Sequence, residues 1–149
     1  MKYRSIHFTI PGIPQGKGRP RAARIGNHIR IYTPSATVSY EALIKQIAAA
    51  AFKGFELFLG PISMNIVMRF TPPKSWSEKK KKAALDGSIS ATVRPDGDNC
   101  WKAVADACEG LVYENDKEIT TGSFTKIYDE SSGVDVTICE INQETDADE

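Results

Sequence analysis

Before Glu41 the sequence contains no acidic residue, although Lys2, Arg4, Lys17, Arg19, Arg21, Arg24 and Arg30 all precede it. Long apolar runs are missing as well. None approaches the ~18 residues of a membrane helix, and the opening MKYRSIHFTIPG lacks the apolar stretch of a secretory leader. Cysteines are few and odd in number (Cys100, Cys108, Cys139), with no C-x-x-C spacing, which argues against a disulfide framework or zinc ribbon and for a reducing cytoplasm. Histidine is confined to His7 and His28, too far apart in sequence to suggest a ligand pair. No G-x-S-x-G elbow or Cys/His dyad is evident. What remains is a soluble intracellular chain of 149 residues, a length that fits one domain.

The nineteen basic and nineteen acidic residues cancel overall but are segregated. Up to Arg94 there are sixteen basic and four acidic residues, a net of +12; from Pro95 onward the net is −12. Such asymmetry suggests one surface for a polyanion and an acidic cluster for something cationic, unless the two halves merely neutralise each other on folding.

Residues 5–10 alternate Ile6, Phe8 and Ile10 with polar neighbours, the pattern of a half-buried strand ending at Pro11-Gly12. Residues 11–32 read as a long basic loop, a hairpin with residues 28–32 as one arm. Thr33-Pro34 suggests an N-cap and first-turn proline for a helix over residues 35–52, its apolar side Tyr40, Ile44, Ile47 and Ala51. Ile62, Met64, Ile66, Met68 and Phe70 mark the clearest strand. Ser75-Trp76-Ser77-Glu78 followed by KKKKAALDG reads as a short, capped, basic helix stopped by Gly87, residues 89–93 look strand-like, and Asp96 or Asp98 caps the next helix. Two closing strands, about 119–128 and 134–141, are joined by the turn Asp129-Glu130-Ser131-Ser132-Gly133. The expected fold is α+β, a mixed sheet of about four strands with helices packed on it. It forms a single domain over residues 1–141, with an acidic, disordered tail at 142–149.

The chemistry concentrates in Arg94-Pro95-Asp96-Gly97-Asp98-Asn99-Cys100-Trp101-Lys102, continuing to Asp106 and Asn115-Asp116. Asp96 and Asp98 converge at a helix start, with Gly97 expected to permit a turn that a bulkier residue would resist. Mg²⁺ prefers hard oxygen ligands and suits two or three carboxylates beside a substrate phosphate. Asp116, before the next strand, could return to the same point. Asp98, Lys102 and Asp106 are spaced by four and share a helical face, placing Lys102 one turn above the carboxylates. Singly, these residues also read as a cap, a surface ion pair and a turn residue. Two rival motifs fail: a calcium loop from Asp96 would need glycine where Trp101 stands, and Gly12–Lys17 is one residue short of a phosphate loop.

The pattern R-P-D-x-D-N-x-x-K-x-x-x-D, followed by N-D before a strand, resembles the RusA family of Holliday-junction resolvases. Gly16-Lys17-Gly18-Arg19-Pro20-Arg21, Tyr32-Thr33-Pro34 and Pro72-Pro73 with Ser75-Trp76-Ser77 resemble its phage and prophage branch. The resemblance spans about residues 5–141. It implies that Asp96, Asp98 and Asp116 bind metal, that Lys102 is catalytic, and that the protein is a Mg²⁺-dependent homodimer (Mn²⁺ a possible substitute) cutting four-way DNA junctions by paired nicks. Many relatives carry two adjacent aspartates where this chain has Asn115-Asp116. Lys17, Arg19, Arg21, Arg24, Arg30, Lys74, Lys79 and Lys80 are the expected phosphate contacts. The Ala-rich stretch 48–51 or an edge strand is the expected dimer surface, and a bacterial cytoplasm the expected location. Two alternatives are a non-cleaving DNA-binding accessory protein and a nuclease preferring flaps or forks.

Overall fold

Residues 3–141 are described by a computed structural model; the acidic tail, 142–149, lies outside the described residues. Strand β1 (Ser5–Pro11) buries Ile6, Phe8 and Ile10 and turns Ser5, His7 and Thr9 to solvent, as its alternation requires. The basic loop does contain a hairpin, β2 (Arg21–Ile25) and β3 (His28–Tyr32), paired antiparallel with Ile25 opposite His28. Its two-residue turn needs a left-handed residue, which Gly26 supplies at φ +59°.

Helix α1 (Ser35–Ala51) buries Thr37, Tyr40, Ile44 and Ala48. Its N-cap is Pro34, one residue later than expected, and no side chain caps it. The Pro34 carbonyl accepts from the Thr37 and Val38 amides at 3.1 and 3.2 Å. Ala48 is wholly inside the core, so of the alanine stretch only residues 49–51 face outward.

Strand β4 (Ile62–Phe70) buries all five of its alternating apolar residues. Helix α2 (Glu78–Leu85) is capped, and of the two serines in Ser75-Trp76-Ser77-Glu78 it is Ser77 whose hydroxyl accepts from the Lys80 amide at 3.2 Å. Residues 89–93 are not a strand. They hold to the body by burying Ala91 and part of Ile89 and by the Lys126 ammonium, which donates to the Val93 carbonyl, without pairing to a strand.

Helix α3 (Gly97–Cys108) is followed by a 3₁₀ turn (Asp116–Glu118), β5 (Ile119–Tyr128) and β6 (Gly133–Glu140). The four long strands form one mixed sheet in the order β1-β6-β4-β5, with β4 and β5 parallel and the other pairs antiparallel. Strands β5 and β6, although joined by only a short turn, are not neighbours: β4 lies between them. The chain rounds the end of β4, where the Asp129 amide donates to the Phe70 carbonyl at 2.8 Å. Helices α1 and α3 cover one face of the sheet. That face holds the largest buried side chains, among them Ile44, Met64, Ile66, Met68, Val104 and Ile138.

Candidate active site

Helix α3 carries most of the site, and two glycines let it lie close to β5. A Cβ on Gly97 would sit 2.0 Å from the Phe124 ring, and one on Gly122 would sit 2.8 Å from the Trp101 ring. Trp101 is fixed further by its indole N–H, which donates to the Met64 carbonyl at 3.0 Å. Gly97 is therefore needed for space and not for its backbone angles, since its φ is not positive. This corrects the sequence reading. Between α3 and β5 runs a cleft of about 520 Å³, lined by Asp98, Trp101 and residues 119–124.

Asp96 occupies the N-cap position of α3, yet its carboxylate makes no capping hydrogen bond. Asp98 stands in the first turn. Both are exposed, and the positive end of the helix dipole favours their charge. One turn on, the Lys102 ammonium lies 2.9 Å from Asp116 Oδ2 and 3.2 Å from Asp106 Oδ1. Its pKa is raised, first by the hydrogen bond to Asp116 and then by that to Asp106.

Asp116 opens the 3₁₀ turn, and its amide donates to Glu109 Oε1 at 3.3 Å. The preceding Asn115 accepts from the Lys117 amide at 2.9 Å and so caps the turn. Asp106, Glu109 and Asp116 each bring a carboxylate oxygen within 4.8 Å of the others. Among the described residues this is the acidic group compact enough for one cation; Asp96, Asp98 and Asp116 do not form such a group. Sequence reasoning passed over Glu109, whose signal was its position three residues beyond Asp106 at the end of α3.

The helix behind the site is rigidly backed. The Tyr113 hydroxyl donates to the Ala105 carbonyl, and burial pushes that hydroxyl's pKa up. Burial also pushes the Cys100 and Cys108 thiols to about 12, which leaves them protonated and inert.

The expected phosphate contacts divide into two sets. Arg19, Arg21, Arg24, Arg30, Lys74, Lys79 and Lys80 are exposed and free of carboxylate partners among the described residues; the Lys80 ammonium sits 4.0 Å over the Trp76 ring. Lys17 differs. Its ammonium bonds Asp106 Oδ2 and lies 3.6 Å from Glu41 Oε1, and Asp106 raises its pKa.

The donors around Lys102 are all carboxylate oxygens, a set suited to a hard divalent cation such as Mg²⁺ and unsuited to a soft one. The sequence matches the family model described as Endodeoxyribonuclease RusA over residues 11–139. It is also similar to the uncharacterized protein YqaN of Bacillus subtilis (strain 168), 31% identical over 139 residues, covering 92% of this chain and 97% of that one. No described helix is long and apolar enough to cross a membrane. The site on α3 thus lies within the matched span, and the chain belongs to the RusA endodeoxyribonuclease family.

Proposed function

We propose that the protein is a metal-dependent, structure-selective endodeoxyribonuclease that resolves four-way DNA junctions by paired phosphodiester cuts. The observation that carries this reading is the Lys102 ammonium, half exposed and poised between Asp106 and Asp116 one turn from Asp98. Asp116 with Asp106 and Glu109, the carboxylates close enough together for one cation, would hold Mg²⁺ or Mn²⁺, and Asp96 and Asp98 at the head of α3 would supply carboxylates to a second ion. A bound divalent cation supplies Lewis acidity at the scissile phosphate.

The chain's own groups do the rest. Lys102 swings from Asp116 to a phosphate oxygen, freeing that carboxylate and stabilising the charge that builds up as the bond breaks. Asp98 lines the cleft, where a strand can approach, and Asp96 is exposed two residues before it. The acidic half repels DNA, so Arg19, Arg21, Arg24 and Arg30 on and before the hairpin, with Lys74, Lys79 and Lys80, supply the attraction. A junction offers two equivalent strands about a two-fold axis, and a symmetric dimer presents two equivalent sites to them. The edge strands β1 and β5 and the outward-facing alanines 49–51 of α1 are the surfaces proposed for that pairing. With three free cysteines the protein suits a reducing bacterial cytoplasm, encoded by the cell or by a resident phage.

The test is incubation with a synthetic four-way junction and Mg²⁺, read on a denaturing gel, beside Asp98→Asn. Symmetric nicks in opposed strands are expected from the wild type, with binding but no cutting by the variant. Binding without metal-dependent nicking would make the protein an accessory factor. Faster cutting of flaps or forks than of junctions would overturn the junction assignment.

A further inference from the structure

Asp106 is shared between two ammonium groups, one on each oxygen. Lys102 Nζ lies 3.2 Å from Oδ1, and Lys17 Nζ bonds Oδ2. Lys17 comes from the loop between β1 and β2, which is fastened to both helices. The Lys17 amide donates to the Asn99 carbonyl at 3.1 Å, and the Gly18 amide donates to Thr37 Oγ1 at 2.8 Å. Gly16 lies so close to α3 that a Cβ there would stand 3.1 Å from Pro95 Cβ and 3.2 Å from Asn99 Cβ. Glu41, on α1, gives the Lys17 ammonium a second carboxylate at 3.6 Å. A row of alternating charges therefore runs Glu41, Lys17, Asp106, Lys102, Asp116.

A carboxylate four residues from a lysine on an exposed helix face normally holds it weakly and in many geometries. Here the second cation decides the geometry. With Oδ2 committed to Lys17, Asp106 offers Lys102 only Oδ1, and the rest of the Lys102 valence goes to Asp116. With Lys17 gone, Asp106 can turn both oxygens to Lys102 and draw it away from Asp116.

We propose that Lys17 is a positioning residue, which fixes Asp106 so that Lys102 stays poised between the two aspartates, and which ties that setting to the arginine hairpin beginning at Arg21. The inference rests on the nuclease reading above. It separates Lys17 from the arginines: they hold DNA, whereas Lys17 acts through Asp106 on the group that meets the phosphate.

The experiment compares wild type, Lys17→Gln and Lys17→Arg by single-turnover cleavage of a four-way junction in Mg²⁺, and by junction binding in Ca²⁺. Positioning predicts that Lys17→Gln cleaves roughly 10- to 100-fold more slowly at saturating DNA while its Kd stays within about twofold and its salt slope is unchanged. Lys17→Arg, whose guanidinium can still hold Asp106, recovers most of the rate. In a double-mutant cycle the losses from Lys17→Gln and Asp106→Asn are less than additive. A variant that cleaves at the wild-type rate, or whose loss lies in Kd with a shallower salt slope, overturns the inference and leaves the nuclease reading intact. The ¹⁵N-ammonium resonance of Lys102 gives a readout independent of activity. If the wild type cuts no branched DNA the nuclease reading falls, and an unmoved Lys102 resonance in Lys17→Gln overturns the positioning role as well, whereas a displaced one sustains it. Thermal melts of each variant identify any that fail to fold; should Lys17→Gln do so, Lys17→Met, which keeps the length of the side chain without its charge, replaces it and is read by the same resonance.

Discussion

Replacing Gly97 with alanine separates two effects of opposite sign. By intrinsic preference alone the change should stabilise α3, since alanine in a helix is favoured over glycine by up to ~1 kcal/mol. Packing opposes it. The new methyl would lie 2.0, 2.3 and 2.6 Å from three carbons of the Phe124 ring, where carbon contacts ordinarily settle at ~3.5–4.0 Å, so helix or ring must yield by about 1.5 Å. Overfilling of this kind costs about 1–3 kcal/mol, and at about 2–4 °C per kcal/mol for a domain of this size the melting temperature should fall by several degrees. Because Gly97 sits between Asp96 and Asp98, both carboxylates move with it, and junction cleavage should drop by up to ~100-fold. Differential scanning calorimetry and a gel assay read the two quantities. Phe124 is 48% exposed, so Phe124→Ala is tolerated and supplies the control: in that background Gly97→Ala should cost nothing. A Gly97→Ala protein that melts at or above wild type, or loses as much stability with Phe124 removed, would refute the steric account.

Removing Arg21, Arg24 and Arg30 together should weaken junction binding for every sequence and flatten the log Kd against log salt plot by about 2.7, at ~0.9 for each phosphate no longer neutralised; fluorescence anisotropy over a salt series measures it. Native protein should react with Ellman's reagent at about pH 8 as one thiol, the partly buried Cys139, and as three after unfolding, because Cys100 and Cys108 are buried with pKa values near 12. Glu140 is held below the ordinary carboxylate value of 4.5, chiefly by the Arg4 guanidinium, whose Nε lies 2.7 Å from Oε1. A depressed carboxylate stabilises above its unfolded pKa and loses that stabilisation as pH falls through the folded one. Glu140→Gln should therefore cost about 1–3 kcal/mol at neutral pH, with the difference from wild type shrinking in urea titrations as the pH falls below the ordinary value of 4.5.

The strands and helices with their own periodicity were readable: β1 and β4 from alternation, α2 from its serine cap, β5 and β6 within a residue or so. The pairing of β5 was not, because a short turn before β6 looks like a hairpin, and only the insertion of β4 between them shows otherwise. Residues 89–93 share a strand's alternation, yet alternation reports burial of every second residue and not the presence of a partner edge. Thr33 had the chemistry of a cap, but Thr37 rather than Thr33 is used, and by Gly18 rather than by the helix. In the site, spacing along α3 brought Asp98, Lys102 and Asp106 to one face correctly. Lys17 lies 89 residues from Asp106 in sequence, so no local pattern announces that one cation of the basic loop is spoken for. Gly97 was noticed for the wrong reason: its constraint comes from a ring on β5, and nothing near it in sequence contains that information.

The position of β6 has a consequence for biosynthesis. It comes later than every other described element, yet it is an interior strand, with β1 on one side and β4 on the other. Until residue 140 has cleared the ribosome, β1 has no partner at all and the apolar face under α1 stays open. A nascent chain therefore exposes the basic hairpin before the sheet beside it can close.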